Sequence, residues 1–505
     1  MADCRQYDWL EKWNLYSPDK NAVTLSETGA SVTYAALNRC AHRLAWLLHD
    51  AFGVQKGDRV AVLAEFGLEY VALFGAAQKA GFILVPINYR LAPPEVAYLL
   101  DNAAPKVLVL DSRYAHLATA GAPIQPLEGL ADACRQATAA VSTEPFPAVP
   151  LQEHDPVFIL YTSGTTGFPK GALYTHGMLF WNSVNTAMSL IINTESRTLN
   201  VMPPFHTGGW NVLLTPFLHH GGYVCLQRKF DAVAALRLLQ EEQVTIFMAV
   251  PTILQMMANE PTFEQATFPH LLYIIVGGEP MPIPLIERWH AKGVPIRQGY
   301  GMTEVGPNLT SLHQNDAIRK KGSIGRPNFY VETRLVDDHG NDVPTGTSGE
   351  LWLRGPMVMP GYWNMPEATQ KTFSADGQWF RTGDLMRQDE AQYLYVVDRL
   401  KNMYKSGGEN VYPAELERVL QTHEAVAEIA VVGVPDEKWG EVGKACIVPK
   451  AGTAFDAEAF LAFCRANLAR FKVPKYVVVV AALPKTDTGK IDRKALRALS
   501  GNMES

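Results

Sequence analysis

The chain has 505 residues, 47% hydrophobic and 19% charged, with a formal net charge of −6. That composition excludes a largely disordered chain, and the mildly acidic balance argues against a general binder of nucleic acid or anionic membrane. The length exceeds one ordinary core, so two to four domains are expected.

Six cysteines (Cys4, Cys40, Cys134, Cys225, Cys446 and Cys464) form no C-x-x-C pair. The spacing suggests neither a disulfide framework nor a zinc site, and small buried thiols in a reducing compartment are expected. The N-terminus "MADCRQYDWLEKW" lacks an apolar signal region. The runs "YVALFGAA" and "FILVPI" fall far short of the ~20 residues of a spanning helix. A cytoplasmic protein without a transmembrane segment is the expectation.

Along the chain, residues 33–50 place Leu37, Cys40, Ala41, Leu44, Leu47 and Leu48 at helical spacing. "DRVAVLA" reads as a strand and "LEYVALFGAAQKAG" as a helix closed by Gly81. "ILVPI" is a strand, "PPEVAYLLDN" a helix and "KVLVLD" a strand. "PVFILY" leads into a Gly-rich loop, with a helix from about His176. "VTIFMAV", "LLYIIVGG" and "PIRQGYG" are further strands ending in loops. This alternation predicts parallel sheets covered by helices, with the chemistry in loops after the strands. Residues 320–400 carry frequent turn signals and read as a β-rich subdomain. Beyond Arg399 the pattern is that of a compact α+β unit.

Four loops could carry chemistry. In "YTSGTTGFPKGA", glycine backbone and hydroxyls can cradle an anion, with Lys170 adding charge. The string fits neither G-x-x-x-x-G-K-[ST] nor G-x-G-x-x-G, and it reads as loop rather than mid-sheet. "QGYGMTE" supplies Glu304, a carboxylate suited to a hard cation shared with phosphates. "WFRTGDL" and "YVVDRLKNMYKSGGEN" supply Asp384 and Arg399. "PKTDTGKIDRKALR" supplies Lys490, which in isolation would read as solvated surface.

Taken together, these strings resemble the adenylate-forming superfamily, and within it the acyl-CoA synthetases. The resemblance spans about residues 20–498, with motifs in family order. It implies an α/β fold: a large N-terminal domain of layered parallel sheets over 1–400, including the β-rich part at about 320–400. A small mobile α+β domain would occupy 401–505, with its hinge at Lys401.

The resemblance also implies roles. Thr162, Ser163, Gly164, Thr165, Thr166, Gly167 and Lys170 would hold phosphates, with Thr165 and Glu304 on Mg²⁺. Gly278, Glu279, Pro280, Gly299, Tyr300, Gly301, Met302 and Thr303 would border adenine and the α-phosphate. Asp384 would accept the ribose hydroxyls and Arg399 would reach the nucleotide. Lys490 would stabilise the charge that develops during adenylation. Lys405, Ser406, Gly407, Gly408 and Trp439 would line the pantetheine path. Arg90, Phe471 and Lys472 are weaker candidates for the nucleotide end of CoA. His206, Gly208, Gly209, Trp210, Val276, Gly277, Gly301 and Met302 would form the acyl pocket, with Trp210 either flooring it or packing in the core.

The implied activity is an ATP-dependent acid–CoA ligase using Mg²⁺ and coenzyme A. No cation among the pocket residues suits a second carboxylate, so the expected acid is an apolar monocarboxylate. A medium- to long-chain fatty acid is the first reading, and an aryl or hydroxycinnamic acid the alternative. An adenylating enzyme that loads a carrier protein is a further alternative. A homodimer is one assembly compatible with this reading; no nucleic-acid partner is expected.

Overall fold

The computed structural model describes residues 6–118, 121–135, 142, 144–162, 169–406, 409–453, 455–486, 490–499 and 503–504. It divides into two compact units. The first comprises Met1–Glu332 and Arg354–Phe380, the second Thr333–Leu353 and Arg381–Ser505. The β-rich segment is thus shared between them, and Lys401 falls inside the second unit.

In the first unit, Arg59–Leu63 is flanked in parallel by Ile83–Pro86 and Val107–Leu110. These strands are continuous apolar runs because both sheet faces are covered. The Tyr34–Phe52 helix starts where the Thr33 side chain accepts from the Ala36 N–H, and ends at Gly53 in the left-handed region. The Leu68–Ala80 helix is buried all round, which its apolar sequence permits. Its one ammonium, Lys79, pairs with Asp8 at 2.8 Å.

A second sheet runs Ile246–Ala249, Tyr273–Val276 and Ile296–Tyr300 in parallel, then turns antiparallel at Thr310–Ser311. A third joins Asn21–Leu25 to Tyr223–Leu226 and Arg197–Asn200.

Two expectations need correction. The Gly-rich stretch does not lead straight into a helix, and its ends are not loop. Pro156–Thr162 and Lys170–Thr175 pair antiparallel, so Tyr161 and Thr162 at one end and Lys170 and Gly171 at the other lie in strands. The residues after Lys170, which end in Tyr174 and Thr175, extend the sheet before the helix His176–Leu190 begins. Second, Cys40 and Cys134 are bonded as a disulfide joining the Tyr34–Phe52 and Leu127–Arg135 helices. Folding packs these helices together and brings the two Cα atoms to 4.6 Å, within bonding reach. Cys225, Cys446 and Cys464 are free and buried, as expected.

The second unit contains a sheet in the order Glu332–Val336, Ser348–Arg354, Phe380–Gln388, Leu394–Arg399. Its C-terminal part builds a sheet around Gly440–Pro449, which pairs antiparallel with Val426–Asp436 and parallel with Tyr476–Val479. Pro413–Leu420, Ala457–Asn467 and Arg493–Ala498 are its helices. No helix among the described residues is long and apolar enough to cross a membrane.

Candidate functional site

The hairpin register sets Thr162 opposite Lys170. Between them, Ser163, Gly164, Thr165, Thr166 and Gly167 lie outside the described residues. The Thr162 hydroxyl reaches Glu304 Oε1 at 3.4 Å, bringing the first two loops together. Glu304 and Thr303 sit in a buried single turn, Thr303–Val305, just past the Ile296–Tyr300 strand. Its shape depends on Gly301, where a Cβ would overlap the Pro307 carbonyl. The Met359 N–H fixes the turn by donating to the Glu304 carbonyl at 2.9 Å.

One residue of this cluster escaped the sequence reading. The Tyr362 hydroxyl donates to Glu304 Oε1 at 2.9 Å, and the Lys170 ammonium lies 5.2 Å from the Tyr362 ring centre. Burial, then the Glu304 charge, raises the Tyr362 pKa and keeps its phenol protonated. The available signal was the "PGYWN" turn, but nothing in its spacing links it to Glu304.

Val276 ends the Tyr273–Val276 strand, and Gly277, Gly278, Glu279 and Pro280 follow it. Gly278 has a φ of +86° and Gly277 is loosely surrounded. The Gln298 side chain accepts from the Met281 N–H at 3.1 Å, tying this loop to the strand leading into Gly299, Tyr300 and Met302. Beside Gly208 stand His206, Met202 and Met248. His206 Nδ1 accepts from the Gly208 N–H at 3.1 Å, so a neutral ring carries its proton on Nε2.

Trp210 takes the core position. It is fully buried, its indole N–H donates to the Pro204 carbonyl, and Phe66, Tyr70, Phe74 and Phe158 surround it. Gly209 serves packing, since a Cβ there would overlap the Pro203 carbonyl.

In the second unit Asp384 is buried, with Arg399 Nε 2.8 Å from its Oδ1. Lys401 feels Arg399, Asp384, Lys490 and Arg493; desolvation, then the Arg399 charge, lowers its ammonium to about 8. The Lys490 carbonyl accepts from the Thr486 N–H. Arg493, three residues on, is anchored by Glu417 at 2.7 Å.

Lys405 and Ser406 lie in the short strand Tyr404–Ser406, whose Ser406 pairs with Gly440. Gly407 and Gly408 lie outside the described residues. Trp439 and Phe471 are exposed, while Lys472 is engaged by Glu415 at 2.6 Å. Arg90 in the first unit lies over the Tyr89 and Phe205 rings.

Comparison with known proteins matches residues 10–363 to the AMP-binding enzyme family and 415–490 to the AMP-binding enzyme C-terminal domain. The chain belongs to the AMP-binding enzyme family.

Among the chain's relatives, a feruloyl-CoA synthase of Amycolatopsis is 40% identical over 95% of this chain and 96% of its own. A long-chain-fatty-acid–CoA ligase of Mycobacterium tuberculosis is 38% identical over 95% of each chain. The Bacillus subtilis O-succinylbenzoate coenzyme A synthetase, solved with ATP and magnesium, superposes with a TM-score of 0.86 at 31% identity. That match covers 97% of this chain and 99% of the other.

The protein is therefore an AMP-forming acid–CoA ligase of the adenylate-forming superfamily, using ATP, Mg²⁺ and CoA. The residues fit Mg²⁺. Among the described residues no three His, Cys, Asp or Glu side chains group into a metal cage. Glu304 offers one buried carboxylate, the donor set of a cation held jointly with phosphates.

Proposed function

We propose that this ligase activates an apolar monocarboxylic acid through the four loops named above. The carrying observation is the space beside Gly208, where the atoms nearest to an added Cβ are the terminal methyls of Met202 and Met248 and the His206 ring nitrogen. Met side chains adapt to apolar surfaces, and no lysine or arginine in this set could pair with a second carboxylate.

In the first half-reaction the acid carboxylate oxygen attacks the ATP α-phosphorus, and the bond to the departing pyrophosphate breaks. Lys170 and the hydroxyls of its hairpin hold phosphate oxygens. Glu304 holds Mg²⁺, which would draw charge from those oxygens. Asp384 takes the ribose hydroxyls, and Lys490 neutralises charge developing at the transferring carboxylate and α-phosphate. In the second, the CoA sulfur attacks the acyl carbon and AMP departs with the bridging oxygen. His206 lies between acyl carboxylate and thiol path, and the Lys405–Ser406 strand borders that path. Rotation of the C-terminal domain about Lys401 separates the two steps.

Medium- to long-chain fatty acids are the first acids to test. A second reading, an aromatic acid, draws on the 40% identity with the feruloyl-CoA synthase. AMP release with ATP, Mg²⁺ and CoA across acetate, octanoate, palmitate, benzoate and ferulate decides between them. CoA-dependent turnover of palmitate or octanoate alone supports the first reading, and of ferulate or benzoate alone the second. Turnover of acetate alone defeats both.

A further inference from the structure

The Tyr362 side chain meets two site residues of opposite charge at once. Its hydroxyl donates to Glu304 Oε1, while its ring face lies under the Lys170 ammonium. Thr162 also approaches Oε1, so both hydrogen bonds converge on one carboxylate oxygen, and among the described residues Oε2 takes none. The ring is itself fixed in place. Tyr362 bridges to Ala172 on the strand after the phosphate hairpin, and the Trp363 N–H donates to the Gly171 carbonyl at 2.7 Å. Lys170 and Glu304, close to the same ring, form no ion pair with each other among the described residues.

That arrangement has a physical consequence. A lysine and a carboxylate sharing a partly desolvated site attract each other, and a direct pair would occupy both charges. A phenol between them offers the carboxylate a neutral donor and the ammonium an aromatic face. Each group then keeps its charge for an incoming ligand. Because the hydroxyl binds one oxygen only, it also sets the carboxylate rotamer and leaves Oε2 as the oxygen for a cation.

We propose that Tyr362 is a positioning residue for metal–nucleotide binding, orienting Glu304 through Oε1 and holding Lys170 apart from it. This rests on the reading of Glu304 as the Mg²⁺ carboxylate.

The test is direct binding of Mn²⁺ with a non-hydrolysable ATP analogue, followed by electron paramagnetic resonance and calorimetry. Three variants of the full chain are compared with the parent: Tyr362→Phe, Tyr362→Leu and Glu304→Gln. Tyr362→Phe keeps the ring and loses the hydroxyl. It should weaken Mn²⁺ binding about tenfold, the scale of a lost hydrogen bond to a charged group. Its affinity for the analogue without metal should stay within about twofold of the parent, because Lys170 still meets a ring. Tyr362→Leu should weaken both, since Lys170 becomes able to pair with Glu304.

Parent-like Mn²⁺ affinity in Tyr362→Phe, with Glu304→Gln impaired, overturns the proposal and leaves the Glu304 reading standing. Parent-like affinity in Glu304→Gln overturns the reading beneath it. Loss of affinity in Tyr362→Phe that comes only with a large fall in melting temperature makes the residue structural and also overturns the proposal.

Discussion

Asp384 and Arg399 stand directly opposite each other on paired antiparallel strands, and the Arg399 Nε lies 2.8 Å from Asp384 Oδ1. The carboxylate is buried while the guanidinium keeps partial exposure. A buried, ionised carboxylate of this kind is a strong acceptor for ligand hydroxyls. Asp384→Ala should therefore weaken ATP binding about 10- to 100-fold, the range for hydrogen bonds to a charged group. Calorimetric titration with ATP measures it; parent-like affinity would remove Asp384 from the nucleotide site.

Lys490 tests the separation of the half-reactions. Lys490→Ala should slow adenylation about 100- to 1000-fold, as expected for a lost charge-stabilising group. Conversion of supplied acyl-AMP with CoA should continue. Pyrophosphate release and thioester formation, assayed separately, reveal whether the two effects divide in this way.

The hinge assignment makes the opposite pattern at Lys401. Lys401→Pro restricts backbone rotation, so acyl-AMP should still form while thioester formation falls sharply. Equal loss of both would place the hinge elsewhere.

Lys401 also carries a pH signature. Its ammonium titrates near pH 8 in the folded chain rather than at 10.5, first through desolvation and then through the neighbouring Arg399 charge. The unfolded chain thus binds more protons between about pH 8 and 10.5. The resulting penalty on the folded state is full below pH 8 and disappears as pH rises through that window. The side chain is exposed, so the effect should be small. Lys401→Met should flatten the pH dependence of stability over this interval in denaturant titrations.

Lys79 concerns stability alone. Its side chain is 2% exposed and pairs with Asp8 at 2.8 Å and Glu11 at 3.6 Å. Lys79→Met leaves those carboxylates without their buried cation, which should cost about 3–5 kcal/mol. Thermal or urea unfolding gives the value. A cost below about 1 kcal/mol would show that water replaces the ammonium.

Much of this was legible in the chain itself. The Tyr34–Phe52 and Leu68–Ala80 helices follow from apolar spacing, a threonine start and glycine ends. The parallel strands around Arg59–Leu63 follow from short apolar runs alternating with helices. Such features are written in neighbouring residues, because backbone preference and face-to-face periodicity act over a few positions. The order of the loop strings was equally local, and it led to the family.

Tertiary structure alone decided which distant residues meet. It paired the strands on either side of the Gly-rich stretch, because the residues after Lys170 found a sheet edge to pair with. It joined Cys40 to Cys134 across 94 positions and packed Trp210 among aromatic rings. It also brought Tyr362 to Glu304 across 58 positions. No short-range pattern marks these partners. Each contact exists because burying whole surfaces sets the backbones side by side, and a side chain then bonds what that packing places within reach.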